Sequence, residues 1–303
     1  MPKKKDFIAL TDYDKETLIQ LVKRGIELKS GAVPRVEPGK ALALIFTKAS
    51  TRTNVSFQRA IQKLGGYPIY LGADSLQLSR GETIGDTAKT LSGYVDAIMI
   101  RTYSHKDVLE LAKNATVPVI NGLTDLLHPC QALGDVMSIV EKKGYQFDKI
   151  KLAFIGDGNN VCNSLINAAG LFGFTMSIAC PAGYKPKPAI LDPMVKKNPR
   201  ITIVEDPKEA VKDAEAIYTD VWVSMGDEAQ AAERKKNFMK YQVNSELLKH
   251  AKSDVMVMHC LPAKRGEEIT DEVIDGKHSY VFEQAENRMH IQEAILEYLL
   301  TNN

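Results

Sequence analysis

Short apolar runs alternate with amphipathic helical patterns along almost the whole chain, and this alternation limits the fold more than any other feature. In the first half, four strand-like runs each precede a helical pattern: ALALIF at 41–46, YPIYL at 67–71, DAIMI at 96–100 and VPVIN at 117–121. Repeated strand–helix units predict parallel strands that are covered by helices. We therefore expect an α/β protein.

A polar segment at 141–149, EKKGYQFDK, separates this series from a second one that begins with KLAFI. A length of 303 residues suits two domains. We predict two doubly wound parallel-sheet domains, residues 1–147 and 148–285, and expect the last helix, about 286–303, to pack back on the first domain. The segment 222–244 shows no clear periodicity, which is typical of a functional loop.

Composition excludes several classes of protein. The formal net charge is +1, so no charge excess points to nucleic acid or a membrane surface. No apolar run reaches the ~18 residues of a membrane span, and the basic start MPKKKD is interpreted as a solvated tail without a signal peptide. Four scattered cysteines predict a reducing compartment, the cytoplasm, and offer no close-spaced pair of metal ligands.

Hydroxyl groups and one guanidinium group are concentrated between ALALIF and the helical pattern that follows it. The residues are Ser50, Thr51, Arg52 and Thr53. A helix N-terminus offers unpaired N–H groups and a partial positive charge, and an arginine fork suits phosphate oxygens. An ordinary N-cap would explain the hydroxyl groups alone. With Arg52 present, a phosphate or carboxylate site is an equal alternative, although the P-loop spacing is absent.

Polar residues also follow the other predicted strands, where open α/β sheets bind ligands. They are Arg101, His128, Gln131, Asp220, Ser224 and Cys260. A histidine in such a loop can donate a hydrogen bond to a carbonyl oxygen that gains negative charge, and an aspartate can bind an ammonium group. Three of these residues also have a structural alternative: a surface ion pair for Arg101, helix capping for Asp220 and inert packing for Cys260.

The GDGNN segment at 156–160 has a weak similarity to a dinucleotide-binding turn. The third glycine is missing, and no acidic residue follows the next strand, which ends SIAC. A dinucleotide-dependent oxidoreductase is therefore disfavoured. A tight turn is the simpler interpretation, and the functional alternative lets Asn159 or Asn160 bind a ligand carboxylate or amine.

Together, STRT, HPCQ, DVWVSMG and HCLP, in this order along the chain, resemble the aspartate/ornithine carbamoyltransferases. HCLP, SMG and the late FEQAENRMH at 282–290 are typical of the ornithine branch. The resemblance implies carbamoyl phosphate and L-ornithine as substrates and an active-site cleft between the domains. It also implies chemistry without a metal or cofactor, and assembly as a homotrimer or a multiple of trimers.

The resemblance further implies roles for the matching residues. Carbamoyl phosphate would be bound by Ser50, Thr51, Arg52, Thr53, Gln77, Arg101, His128, Gln131, Cys260, Leu261 and Arg288. Ornithine would be bound by Asn160, Asp220, Ser224 and Met225. Catalysis would depend on Arg101, His128, Asp220 and Cys260. Gln77 would reach the site of a neighbouring subunit.

One position departs from the family pattern. The family usually reads STRTR, whereas this chain has Asn54 at the last place. Because Arg52 is present, we expect altered local ion pairing and not lost activity. Two alternative functions stay open: a sister transferase for putrescine or N-acetylornithine, against which DVWVSMG argues, and a non-catalytic anion-binding module, against which His128 and Cys260 argue.

Overall fold

The computed structural model describes residues 4–77, 81–223 and 228–302. The chain divides into a first unit, Met1–Met137 with Asn287–Asn303, and a second unit, Ser138–Glu286. The divisions fall inside two helices, α5 (Pro129–Lys143) and α12 (Val281–Thr301). The assignment of one substrate to residues 1–147 and the other to 148–285 stays a prediction.

The first unit contains a parallel sheet in the order β2-β1-β3-β4. Its strands are β1 (Ala41–Phe46), β2 (Tyr67–Gly72), β3 (Ala97–Arg101) and β4 (Val119–Leu123). All six residues of β1 are buried because the strand has a neighbour on each side and is covered on both faces. This burial explains why β1 is continuously apolar instead of alternating. The edge strand β2 is partly exposed.

Four further helices belong to the first unit: α1 (Lys15–Lys29), α2 (Thr51–Lys63), α3 (Ile84–Ser92) and α4 (His105–Asn114). Helix α1 was not predicted from the sequence. Its signals are nevertheless present, because the Asp14 side chain accepts a hydrogen bond from the Thr17 amide at 2.7 Å and caps the helix. Leu18, Leu21 and Leu28 then lie buried on one face.

The second unit contains a parallel sheet in the order β7-β6-β5-β8-β9. Its strands are β5 (Lys151–Ile155), β6 (Thr175–Ala179), β7 (Ile201–Val204), β8 (Ala216–Thr219) and β9 (Met256–His259). Its helices are α6 (Asn160–Phe172), α7 (Pro188–Lys197), α8 (Pro207–Val211), α9 (Ala231–Phe238), α10 (Ser245–Leu248) and α11 (Asp271–Ile274).

The prediction that 222–244 lacks regular structure was wrong, because α9 lies within it. The buried side chains of this helix are Arg234 and Phe238, one turn apart. A helix whose inward face carries a charged residue has little apolar periodicity, so a search for that pattern does not find it.

The strand order reverses once in each sheet, between β1 and β3 in the first unit and between β5 and β8 in the second. Ligands of doubly wound sheets bind beyond the carboxyl ends of the strands at such a reversal. Within the described ranges, no helix has both the length and the apolar character needed to cross a membrane.

Candidate active site

The N-terminus of α2 lies directly beyond β1 in the first unit. Ser50 is the N-cap, and its hydroxyl oxygen accepts a hydrogen bond from the Thr53 amide at 3.2 Å. The capping interpretation of these hydroxyl groups is therefore correct for Ser50. Thr51 is exposed, Arg52 is half-buried and Thr53 is fully buried. Capping leaves the positive end of the helix available to an anion.

Two buried guanidinium groups converge on the Thr53 hydroxyl. Arg288, on α12, donates to its oxygen at 2.8 Å, and Arg101, at the end of β3, donates at 3.3 Å. Arg288 is 4 % exposed and Arg101 is 7 % exposed. Since guanidinium groups bind phosphate oxygens strongly, this convergence at a helix N-terminus is suited to a phosphorylated ligand.

His128 is a buried neutral imidazole in the same unit. Its pKa lies well below 6.5, first because of burial and then because of the positive charges of Arg288, Arg101 and Lys48. A neutral ring can donate a hydrogen bond to a carbonyl oxygen without adding another buried charge.

Lys48 was missed by the sequence analysis. It is 8 % exposed, and its ammonium group lies 4.9 Å from the centroid of the Tyr103 ring. The sequence signal that could have identified Lys48 was its position two residues before the helix cap Ser50. Lys48 adds a third positive charge to the group that acts on His128.

Gln131 is oriented by its two neighbours in the first unit. Its amide nitrogen donates to Asp135 at 2.8 Å, and its amide oxygen accepts from Arg288 at 2.9 Å. Asp135 lies one turn further along α5 and was also missed. Because an ionised carboxylate can only accept hydrogen bonds, Asp135 holds the amide nitrogen of Gln131 and so turns the amide oxygen towards Arg288.

Gln77 is exposed and follows β2. In the described residues, no hydrogen bond joins its side chain to Thr53, Arg101 or Arg288. Its expected contact with a neighbouring subunit stays a prediction.

In the second unit, the GDGNN segment forms a tight turn beyond β5. A Cβ on Gly158 would lie 2.3 Å from the backbone nitrogen of Pro186, so this position requires glycine. Asn159 caps α6 by accepting from the Val161 and Cys162 amides at 3.0 and 3.1 Å. Its amide nitrogen also donates to Asp220 at 2.7 Å. Because Asn159 has this structural role, Asn160 is the remaining candidate for binding a ligand.

Asp220 and Cys260 meet beyond β8 and β9. The Cys260 thiol donates to the Asp220 carboxylate at 3.0 Å. Asp220 is 7 % exposed, and Cys260 is only partly buried. The other three cysteines are buried. A carboxylate beside a thiol is suited to a ligand with amino groups.

His259 holds the backbone that follows Cys260. Leu261 has a φ of 56°, which is unusual for a side chain of its size, and its amide donates to Nδ1 of His259 at 2.8 Å. The Nε2 atom of His259 lies 2.9 Å from Glu268 and donates to it. Asp220, His259 and Cys260 have potential metal-ligand atoms within 4.8 Å of one another. Because both nitrogens of His259 are engaged, we assign no metal to this group.

Two residues expected to bind ornithine, Ser224 and Met225, lie outside the described residues. Trp222, just before them, is buried.

Comparison with known proteins identifies the family. Residues 5–141 match the aspartate/ornithine carbamoyltransferase carbamoyl-P binding domain, and residues 148–299 match the Asp/Orn binding domain. An ornithine carbamoyltransferase of Thermococcus kodakarensis is 52 % identical over 300 residues, covering 96 % of this chain and 95 % of that protein.

Solved structures agree with this result. The ornithine carbamoyltransferase of Pyrococcus furiosus has a TM-score of 0.94 at 51 % identity, covering 99 % of this chain and 98 % of the other. The anabolic enzyme of Campylobacter jejuni has a TM-score of 0.94 at 40 % identity, covering 99 % and 100 %. The chain therefore belongs to the aspartate/ornithine carbamoyltransferase family.

Proposed function

We propose that this protein transfers the carbamoyl group of carbamoyl phosphate to the δ-amine of L-ornithine, giving L-citrulline and phosphate. The observation that carries the proposal is the convergence of Arg101 and Arg288 on Thr53, beside neutral His128. The named activity of the relatives supports the choice of ornithine as the acceptor.

The transfer is an acyl substitution. The δ-nitrogen attacks the carbamoyl carbon, a tetrahedral oxyanion forms, and the bond to phosphate breaks. His128, Arg101 and Thr53 stabilise the oxyanion, and one such donor is typically worth about 10²–10³ in rate. Arg52 and the N-terminus of α2 stabilise the departing phosphate, because a guanidinium fork and a helix dipole both favour an anion.

The attacking amine must be neutral. A free side-chain amine of this type has a pKa of ~10.4, so the site must favour its deprotonated form. Asp220 and Cys260 orient the amino groups of the substrate. Attack releases a proton, and the departing phosphate supplies an oxyanion that can accept it. Holding both substrates together also lowers the barrier through proximity.

Assembly as a homotrimer, or a multiple of trimers, is part of the proposal. Its structural support is the edge strand β2, where Tyr67 is 51 %, Ile69 is 36 % and Tyr70 is 51 % exposed. Edge strands with exposed apolar side chains pair readily with another chain. Gln77 follows this strand, which suits its expected role in a neighbouring subunit. Sedimentation equilibrium would test the assembly, and a monomer at micromolar concentration would contradict it.

Cytoplasmic location is also proposed. All four cysteines are free thiols, as a reducing compartment would keep them.

The activity test mixes the protein with carbamoyl phosphate and, separately, ornithine, putrescine, N-acetylornithine or aspartate. Ureido product and phosphate are measured together. We expect equal amounts of both from ornithine and none above background from the other amines. Arg52→Ala should lose most of this activity, while Arg59→Ala is the matched control because Arg59 is exposed on the same helix.

Each outcome has a distinct meaning. Product from a different amine would keep the chemistry and overturn the choice of ornithine. No product from any amine, with a folded protein, would overturn the enzymatic function. Equal losses in both arginine variants would contradict the assignment of Arg52 to the phosphate.

A further inference from the structure

A buried ion pair in the second unit joins α9 to the turn that follows β5. The Arg234 guanidinium donates to the Asp157 carboxylate at 2.8 Å, and both side chains are only 10 % exposed. The same nitrogen of Arg234 donates to the backbone carbonyl of Trp222 at 2.9 Å. One side chain thereby holds two separate segments of the unit: the β5 turn and the peptide that follows β8.

The ring of Tyr184 lies against this guanidinium group. The guanidinium group is 4.9 Å from the centroid of that ring, where a cation–π interaction is favourable. Trp222 stacks on Phe238 with centroids 6.0 Å apart, and Tyr184 packs against Phe238 at 4.8 Å. Since Arg234 and Phe238 are both on α9, the helix is anchored to this aromatic group at two points. The guanidinium group is therefore held by the Asp157 carboxylate, the Trp222 carbonyl and the Tyr184 ring.

Both segments held by Arg234 lead to the proposed amine site. In the turn, the Asn159 amide donates to the Asp157 carbonyl at 2.7 Å, and the Asn159 side chain donates to Asp220 at 2.7 Å. Beyond β8, the held carbonyl of Trp222 lies two residues after Asp220. The Asp220 carboxylate in turn accepts from the Cys260 thiol at 3.0 Å.

We propose that Arg234 is a positioning residue for the amine substrate. It does not touch the substrate but orients Asp220 by fixing both the turn that carries Asn159 and the peptide after β8. This inference rests on the proposed function, because it takes Asp220 as the partner of the substrate amino groups. A side chain with only a structural role would lower the stability of the unit without a selective effect on one substrate.

The test compares Arg234→Met, which removes the positive charge and the guanidinium N–H donors, with Arg234→Lys, which keeps the charge. In steady-state assays of the full-length protein, Arg234→Met should raise the KM for ornithine by about tenfold or more, as expected for loss of a coupled polar contact. Arg234→Lys should give a smaller rise. The KM for carbamoyl phosphate should change by less than about twofold in both variants.

Arg24→Met is the matched control for loss of a buried arginine. Arg24 is 9 % exposed and bonds Glu297 through Nε at 2.6 Å and Nη2 at 3.0 Å, within the first unit. Its loss should lower the melting temperature, as in Arg234→Met, and leave the KM for ornithine unchanged. If Arg234→Met does not fold, Arg234→Lys and Asp157→Asn decide the question, because each keeps a polar group at the contact.

Three results would overturn the inference: an unchanged KM for ornithine in the folded Arg234 or Asp157 variants, an equal rise for both substrates, or the same rise in Arg24→Met. Failure of the proposed function is distinguishable from these results. It would be visible in the unaltered protein, which would then form no citrulline.

Discussion

The two candidate sites occupy equivalent places in their sheets and have opposite chemistry. Each lies beyond the carboxyl ends of parallel strands where the strand order reverses. In the first unit, Arg101, Arg288 and Lys48 surround buried Thr53 and His128 with positive charge. In the second unit, a carboxylate faces a thiol and an asparagine amide. The scaffold decides where a ligand binds, whereas the side chains at the strand ends decide which ligand it is.

Burial outweighs nearby charge in the first unit. The pKa of the Cys130 thiol is raised to about 12 because burial disfavours the thiolate, although the positive charge of Arg288 acts in the opposite direction. For His128, burial and the neighbouring cations act together, since each disfavours the charged imidazolium. Both groups are therefore neutral near pH 7.

The largest expected effect concerns the cationic site. Replacing Arg101 with Met removes one of the two guanidinium groups on Thr53, and we expect kcat/KM to fall by about 10²–10³. Initial rates with ornithine and carbamoyl phosphate would measure the loss, with circular dichroism to check folding. The control is Arg59→Met on exposed α2 surface. A loss below about tenfold would place the essential positive charge elsewhere.

A thiol-labelling experiment would sharpen the contrast with the second unit. The partly buried Cys260 should react with iodoacetamide near pH 7.5, whereas Cys130, Cys162 and Cys180 should not, because burial raises the pKa of each of those thiols.

Mass spectrometry should find one label on the native chain and four on the unfolded chain. Activity should fall in parallel with labelling. Labelling of the native Cys260→Ser variant would contradict the expectation that this thiol alone is accessible.

A smaller effect follows from the depressed pKa of His128. Below pH 6.5 the unfolded chain takes up a proton on this residue, while the folded chain does not until its lower pKa is reached. The contribution of His128 to stability is therefore lost progressively as the pH falls from 6.5 towards the folded pKa.

His128→Asn lacks this proton uptake. Denaturant unfolding between about pH 7 and about pH 4.5 should show the unaltered protein losing up to about 1.4 kcal/mol per pH unit relative to the variant. Stability curves that stay parallel over this range would mean that the imidazole is protonated in the folded protein.

The smallest expected effect concerns the departure from the family motif. Asn54 accepts a hydrogen bond from the Gln58 side chain at 2.6 Å, one turn along α2. Asn54→Ala should lower the free energy of unfolding by ~0.2–0.5 kcal/mol, as for a hydrogen-bonded side-chain pair one turn apart on a helix. The KM for carbamoyl phosphate should not change in Asn54→Ala or Asn54→Arg. A change of about fivefold or more would make this position part of the cationic site.

Strand ends were predictable because burial on both faces makes β3 and β8 largely apolar, which marks the polar residues at their carboxyl ends. Arg101 and Asp220 were found in this way. The helix α9 was not found, because its inward face includes a charged residue. Asp135 was not found because it lies inside α5, away from a strand end, and orients Gln131 only through a side-chain hydrogen bond.

By itself, the sequence determined two series of parallel strand–helix units and the candidate ligands at their ends, because strand and helix periodicities and turn residues are local properties. Only the tertiary structure decided which of these side chains meet. Arg288 reaches Thr53 across 235 residues, and Arg234 reaches Asp157 across 77. Such contacts depend on burial and strand order, which bring distant segments together and change the charge states of the groups they enclose.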